Sequence, residues 1–303
     1  MSRPALAPWL QLLRIAALPS AMSNILIGYL LANSSWQPVV PLLLLLAASA
    51  CLYCAGMVLN DAFDLEVDQQ QRPNRPFVCG AIAPSLAKVV GFGLLFVGPL
   101  LAALVSVFSA GLAAALALLV LLYDGPLKRT PLAPFLMGAC RTLNILLGAS
   151  SALALSATPV VFCYAGAIGI FVAGITLLGR REAETEQSLS KLLPGGVLLA
   201  GGILLIGITA WFAGADPNIP NQVRFLPLAI AFIAMPILRR LAIACSSASG
   251  KAVQATIITS LRSLIVFDAC FALLVASGRP ACSIVILSLM GLSLLLGKVS
   301  KMT

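Results

Sequence analysis

Residues 60–76, NDAFDLEVDQQQRPNRP, bring three aspartates, a glutamate and two arginines together between two almost wholly apolar runs. If a helix continues through this stretch, Asp61, Asp64 and Asp68 follow i, i+3, i+7 spacing and occupy about 60° of one face. Glu66 falls off that face. Pro73 ends or kinks any such helix by residue 72. Three convergent carboxylates repel one another unless protons or cations neutralise them. Mg²⁺ is the economical partner, because it takes oxygen ligands, retains water, and is commonly held by one or two carboxylates together with substrate phosphates. Arg72 and Arg75 carry the planar fork that suits phosphate oxygens. The chemistry expected is therefore a metal-bridged phosphate ester at a membrane surface. On spacing alone a second reading stays open, a charged loop whose acids pair with its own arginines.

The elements that must position this cluster are membrane helices. Of the 303 residues 60% are hydrophobic and 10% charged, with a mean hydropathy of +1.05, against roughly 25% charged in soluble domains. Apolar runs and their breaks predict spans near 10–32, 39–60, 85–107, 109–123, 133–154, 159–178, 192–213, 223–243, 252–277 and 281–298. Ten helices are expected, or nine if the run holding Arg262 and Asp268 lies at the interface instead. The first run reads as a spanning helix and not a cleavable signal, since it continues past residue 30 without a small-residue cleavage site. With the amino terminus cytoplasmic, all 19 Lys and Arg residues except Arg224 and Arg279 fall on or near the cytoplasmic side, as the positive-inside rule requires. The net charge of +9 is dispersed over many short loops, so it reads as topology and no nucleic-acid partner is expected. Of eight cysteines, Cys51 and Cys54 form a CxxC inside an apolar run, with no second pair and no histidine in the chain. They read as core packing. The expected fold is a single all-α integral membrane domain over 1–303, a bundle of nine to ten transmembrane helices around a cytoplasm-facing polar cavity.

Polar residues inside the spans are further candidates. Arg141 and Asn144 are i, i+3 neighbours in ACRTLNILLGAS, and a guanidinium among apolar residues faces a cavity or an anion, or snorkels to the interface. Asn24 in the first span is either a site residue or a helix-to-helix hydrogen bond. Asp268 reads more readily as a packing or cavity group.

The opening stretch resembles the first aspartate-rich motif of the UbiA superfamily of intramembrane prenyltransferases, NDxxDxxxD followed by an RPxRP-like segment. The resemblance covers roughly residues 10–277 in hydropathy and motif order, and leaves 281–298 as an extra terminal helix. It implies that Asn60, Asp61, Asp64 and Asp68 hold Mg²⁺ against the diphosphate of an isoprenyl donor, with Arg72 and Arg75 at the anionic group. It also extends to YDGPLKRTP at 123–131, similar to the family's tyrosine-and-lysine loop. There Tyr123 would contact the donor or steady an allylic cation, and Lys128, or its neighbour Arg129, would bind diphosphate. Arg141, Asn144 and Asn24 join the diphosphate side of this site. The sequence departs at GRREAETEQ, 179–187, where the family's second aspartate-rich motif is expected and no aspartate occurs. Glu182 and Glu186 stand in as i, i+4 metal ligands, or Arg180 and Arg181 bind phosphate directly; the departure looks like the EboC-type branch. The implied activity is Mg²⁺-dependent transfer of an isoprenyl group from a polyprenyl diphosphate to an aromatic or lipid-like hydrophobic acceptor. The expected setting, among membrane lipids, is a bacterial plasma membrane. The rival classes are a membrane alcohol phosphotransferase, a transporter and a non-catalytic lipid-binding relative.

Overall fold

The computed structural model describes residues 6–71, 75–152, 159–180, 188–214, 221–247, 249–275 and 280–302. Its helices are α1 (Leu6–Leu12), α2 (Leu18–Asn33), α3 (Val39–Phe63), α4 (Leu65–Gln71), α5 (Pro84–Ala103), α6 (Val107–Asp124), α7 (Ala133–Ala149), α8 (Pro159–Gly179), α9 (Leu189–Gly214), α10 (Leu226–Ser247), α11 (Gly250–Val275) and α12 (Pro280–Met302). No strand occurs among the described residues. Among the described residues nine helical segments are long and apolar enough to cross a membrane, and α7 adds a shorter apolar helix. This is an integral, multi-pass membrane protein, because such helices satisfy their own backbone groups in hydrocarbon. The outer surface agrees: Val107 is 90% and Phe232 78% exposed, positions that only lipid covers favourably.

Two expected boundaries are corrected, and the least certain span is found. The first apolar run is not one helix: α1 ends at Leu12, Arg14 adopts a left-handed conformation (φ 44°, ψ 47°), and a 3-10 turn at Ile15–Ala17 leads into α2, which carries Pro19 in its first turn. The break between the third and fourth runs falls at 104–106 and not at 108. Ser106 caps α6 there, accepting the backbone N–H of Ser109 at 2.9 Å, a standard way to satisfy an orphan amide. The run holding Arg262 and Asp268 is one continuous helix, α11.

Helices adjacent in sequence pack side by side from α5 to α12, and α11 and α12 return to α2. Close approach without side chains makes the α2–α7 crossing: a Cβ on Gly28 would collide with the Ile145 carbonyl, and one on Gly148 with the Ile25 backbone. Small residues at such crossings let backbones meet, as membrane interiors favour. Between α2, α3, α6 and α7 this leaves a cavity.

Candidate active site

The polar cluster forms where α3 stops. Asp64 is the residue after its last turn (φ −88°, ψ 6°), and α4 restarts at Leu65. The backbone N–H of Asp64 still reaches the Asn60 carbonyl at 3.1 Å, and that of Asp68 reaches the Asp64 carbonyl at 2.8 Å. The helix is thus bent at Asp64 and not uniform, and the three aspartates do not converge into one acidic face as the spacing predicts. Among the described residues no three His, Cys, Asp or Glu side chains gather closely enough to hold a metal by themselves.

Asp61 and Asp64 are instead held by cations. Asp61, 3% exposed, accepts from Arg14 Nη2 at 2.8 Å and from Arg75 Nη1 at 2.6 Å. Lys128 Nζ donates to Asp64 Oδ2 at 2.5 Å and to Asn60 Oδ1 at 2.9 Å. Arg180 Nη2 donates to the Lys128 carbonyl at 2.5 Å and so ties the end of α8 to this loop. Asn60, Asp61, Asp64, Arg75 and Lys128 therefore come together from three separate parts of the sequence. Arg129 is exposed, whereas Lys128 makes the contacts. Asp68 is buried on α4. Arg72, Arg181, Glu182 and Glu186 lie outside the described residues, and with them most of the segment that distinguishes a branch of the family.

Behind the cluster lies the cavity, with about 670 Å³ of empty space, part of it open. Apolar walls from Leu52, Met57, Leu116, Val120 and Met137 enclose it, and Tyr53, Tyr123, Asp124, Arg141 and Asn144 supply its polar atoms. Arg141 is fixed from α2: Nη1 donates to the Ser20 carbonyl and to Asn24 Oδ1, both at 3.1 Å, and Nη2 to Ser20 Oγ at 3.1 Å. Asn144 donates to the Ala21 carbonyl at 2.9 Å and accepts from Ser49 Oγ at 2.7 Å. Asn24 does not line the cavity; fully buried, it donates to Asp268 Oδ2 at 2.9 Å. Asp268 also accepts from Ser23 Oγ at 2.6 Å and Tyr164 OH at 2.7 Å.

Two residues escaped the sequence reading. Arg14 looked like a helix-end arginine, and only the left-handed turn brings it to Asp61. Asp124, 4% exposed, sits beside Tyr123 inside a motif already singled out; an acid at the end of an apolar run was the available signal.

Residues 21–187 match the model of the UbiA prenyltransferase family. The chain belongs to the UbiA prenyltransferase family. The matched span contains both motif loops and α2 to α8. Among curated proteins the chain is similar to the digeranylgeranylglyceryl phosphate synthase of Methanopyrus kandleri, 31% identical over 137 residues, or 44% of this chain and 50% of the relative. The synthase of Methanoregula boonei is 35% identical over 106 residues, 35% of this chain and 37% of the relative. The chain thus spans about half the length of the curated relatives it matches. The fold is shared more widely. A solved digeranylgeranylglyceryl phosphate synthase superposes with a TM-score of 0.67 at 19% identity, covering 91% of this chain and 99% of that one. The UbiA homologue of Archaeoglobus fulgidus bound to GPP and Mg²⁺ superposes with 0.60 at 16%, covering 89% and 99%. The all-helical bundle expected from hydropathy is thus the UbiA fold.

Proposed function

We propose that this chain transfers an isoprenyl group from its diphosphate to a hydrophobic acceptor within the membrane, with Mg²⁺ as cofactor. The observation that carries this reading is the Asn60, Asp61, Asp64, Arg75 and Lys128 cluster standing at one cavity of a UbiA-family bundle. Support comes also from the relatives, one of which is described with GPP and Mg²⁺ and others of which are digeranylgeranylglyceryl phosphate synthases.

The donor set fits Mg²⁺. It is all oxygen, with two carboxylates and an amide at the end of one helix, and Mg²⁺ needs only one or two carboxylates when phosphate oxygens and water complete its shell. Asp61, Asp64 and Asn60 would hold it, with Asp68 on the following helix. When bound, the ion neutralises charge growing on the leaving diphosphate. The chain's own residues do the rest. Arg75, Arg14 and Lys128 give the diphosphate N–H donors now used by Asp61, Asp64 and Asn60. Exchange of carboxylate for phosphate oxygens lets one cluster serve both the unbound and the bound state. Tyr123 presents an aromatic ring to the cavity where the allylic carbon loses its leaving group, and cation–π attraction there is worth about 0.5–2 kcal/mol. Arg141, held by Ser20 and Asn24, keeps a fixed positive charge at the cavity wall, with Asn144 beside it. The apolar walls take the isoprenyl tail and keep water from the cation. Glu182 and Glu186, or Arg180 and Arg181, would complete the diphosphate side. The acceptor is aromatic or a lipid, and residues 1–303 act as one membrane domain with α12 as the addition.

We place the motif loops on the cytoplasmic side, on the distribution of basic residues, in a bacterial plasma membrane; the named relatives are archaeal, and the mechanism uses the bilayer and not the lineage. The test is purified protein in detergent with dimethylallyl, geranyl and geranylgeranyl diphosphates, with Mg²⁺ or EDTA, and a lipid extract as acceptor source. Mg²⁺-dependent pyrophosphate release and a prenylated product are expected, both abolished in Asp61→Ala and Asp64→Ala. Transport of donor in liposomes with no bond cleavage would overturn the reading.

A further inference from the structure

We propose that Asp124 is the catalytic base that takes the proton from the acceptor's attacking hydroxyl. The inference rests on the prenyl-transfer reading above. Transfer to an O–H acceptor has a fixed balance: the donor C–O bond breaks with its electron pair leaving on diphosphate, a new C–O bond forms, and one proton must go from the acceptor oxygen to a base. The chain has no histidine. Of the carboxylates nearest the site, Asp61 and Asp64 are engaged by Arg14, Arg75 and Lys128, and Asp268 is closed off by Ser23, Asn24 and Tyr164.

Asp124 differs from all of these. The residue is 4% exposed and lines the cavity, and among the described residues its side chain makes no hydrogen bond or ion pair. Among the described residues the enclosed side-chain polar atoms that lack a partner are Ser260 Oγ and Ser283 Oγ, so the Asp124 carboxylate is open to the cavity, where a ligand can supply its hydrogen bond. Gly56 also lines the cavity, and a Cβ there would come 3.9 Å from Asp124 Oδ2. A side chain at Gly56 would touch this oxygen and crowd Val120 Cγ1, at 3.2 Å, so glycine leaves the carboxylate uncovered on that side. Tyr123, proposed to steady the allylic cation, is the preceding residue and lines the same space. Base, cation and acceptor oxygen are thereby brought to one end of the cavity, and Lys128, which bonds Asn60 and Asp64, is also within electrostatic reach of Asp124. The proton is accepted on the carboxylate and returned to solvent when products leave.

Asp124→Asn and Asp124→Glu, in full-length protein, test this with geranylgeranyl diphosphate as donor and two acceptors, a hydroxybenzoate and a glyceryl phosphate monoether, alongside the lipid extract. Asp124→Asn is expected to lose about 10²–10⁴-fold in kcat for transfer, with donor affinity measured by titration and donor cleavage without acceptor both unchanged. Asp124→Glu recovers part of the rate. Retained donor binding also establishes that the variant is folded. Transfer by Asp124→Asn at the wild-type rate overturns the assignment, as does loss of donor binding equal to that of Asp61→Ala, which would move Asp124 to the diphosphate side. If the wild-type chain cleaves no donor at all, the prenyl-transfer reading fails and this inference falls with it.

Discussion

Lys128 is the side chain on which the two motif loops meet: one ammonium donates both to Asn60 and to Asp64, while the neighbouring Arg129 stands exposed. Lys128→Met is therefore expected to weaken geranyl diphosphate binding and lower transfer by about 10²-fold, and Arg129→Ala to leave both near wild type. Titration calorimetry with Mg²⁺ present measures the difference; equal effects would remove Lys128 from the site. A second residue acts at a distance. Asp268 accepts from Asn24, and Asn24 in turn accepts from Arg141, so the buried carboxylate sets the orientation in which Asn24 holds the guanidinium. Asp268→Ala leaves Asn24 and Tyr164 short of an acceptor in a fully buried setting, while Ser23 keeps the Ser20 carbonyl. It is expected to cost about 1–3 kcal/mol of stability, read as a lower thermal midpoint in detergent, and to raise the donor KM more than Asp268→Asn does. At this scale the sequence was informative wherever polarity conflicted with surroundings. Asp61, Asp64 and Arg141 stood out because charge in an apolar chain needs a reason. Arg14 did not, since an arginine at the end of an apolar run has an ordinary topological explanation, and its bond to Asp61 spans 47 positions.

At the scale of elements, hydropathy made the spans legible because lipid imposes one requirement on all of them, about 20 apolar residues per crossing. What it could not yield was the departure from uniform helix. The left-handed Arg14 and the bend at Asp64 follow from partners elsewhere in the chain, and the bend is why the i, i+3, i+7 pattern of aspartates did not become one face. Helix crossings are equally silent in hydropathy, since glycine and leucine both read as apolar. The α2–α7 crossing carries Ser20 and Asn24 on one helix and Arg141 and Asn144 on the other, so its spacing sets the cavity wall. Gly148→Leu forces a side chain into the Ile25 backbone and is expected to destabilise by about 1–3 kcal/mol, whereas Gly166→Leu, which meets open space, is expected to be close to neutral. Thermal unfolding of the two variants side by side checks this, and equal midpoints would mean that the crossing is looser than the backbone contact requires.

For the whole molecule the question is which side of the membrane the cluster faces. The Lys128 loop and the Arg75 segment meet at the carboxyl end of α3, and Arg180 at the end of α8 reaches the same loop. These ends therefore share one side of the bilayer. The α2–α3 turn lies at the other, because the 25 residues of α3 rise about 37 Å, more than the hydrocarbon thickness. Basic residues concentrate on the side of the motif loops, and on the positive-inside rule we propose that this side is cytoplasmic, where a soluble diphosphate headgroup and Mg²⁺ are both present. Cys79 is exposed in the segment that follows the first motif, and Ser35 is exposed in the α2–α3 turn, so the two report on opposite faces. With the other seven cysteines replaced by serine, a membrane-impermeant maleimide is expected to label Cys79 in inverted vesicles and not in intact cells. In a variant that also carries Cys79→Ser, Ser35→Cys is expected to label in the reverse pattern. Labelling of Cys79 from outside intact cells would invert the topology and place the diphosphate cluster on the side away from its proposed donor.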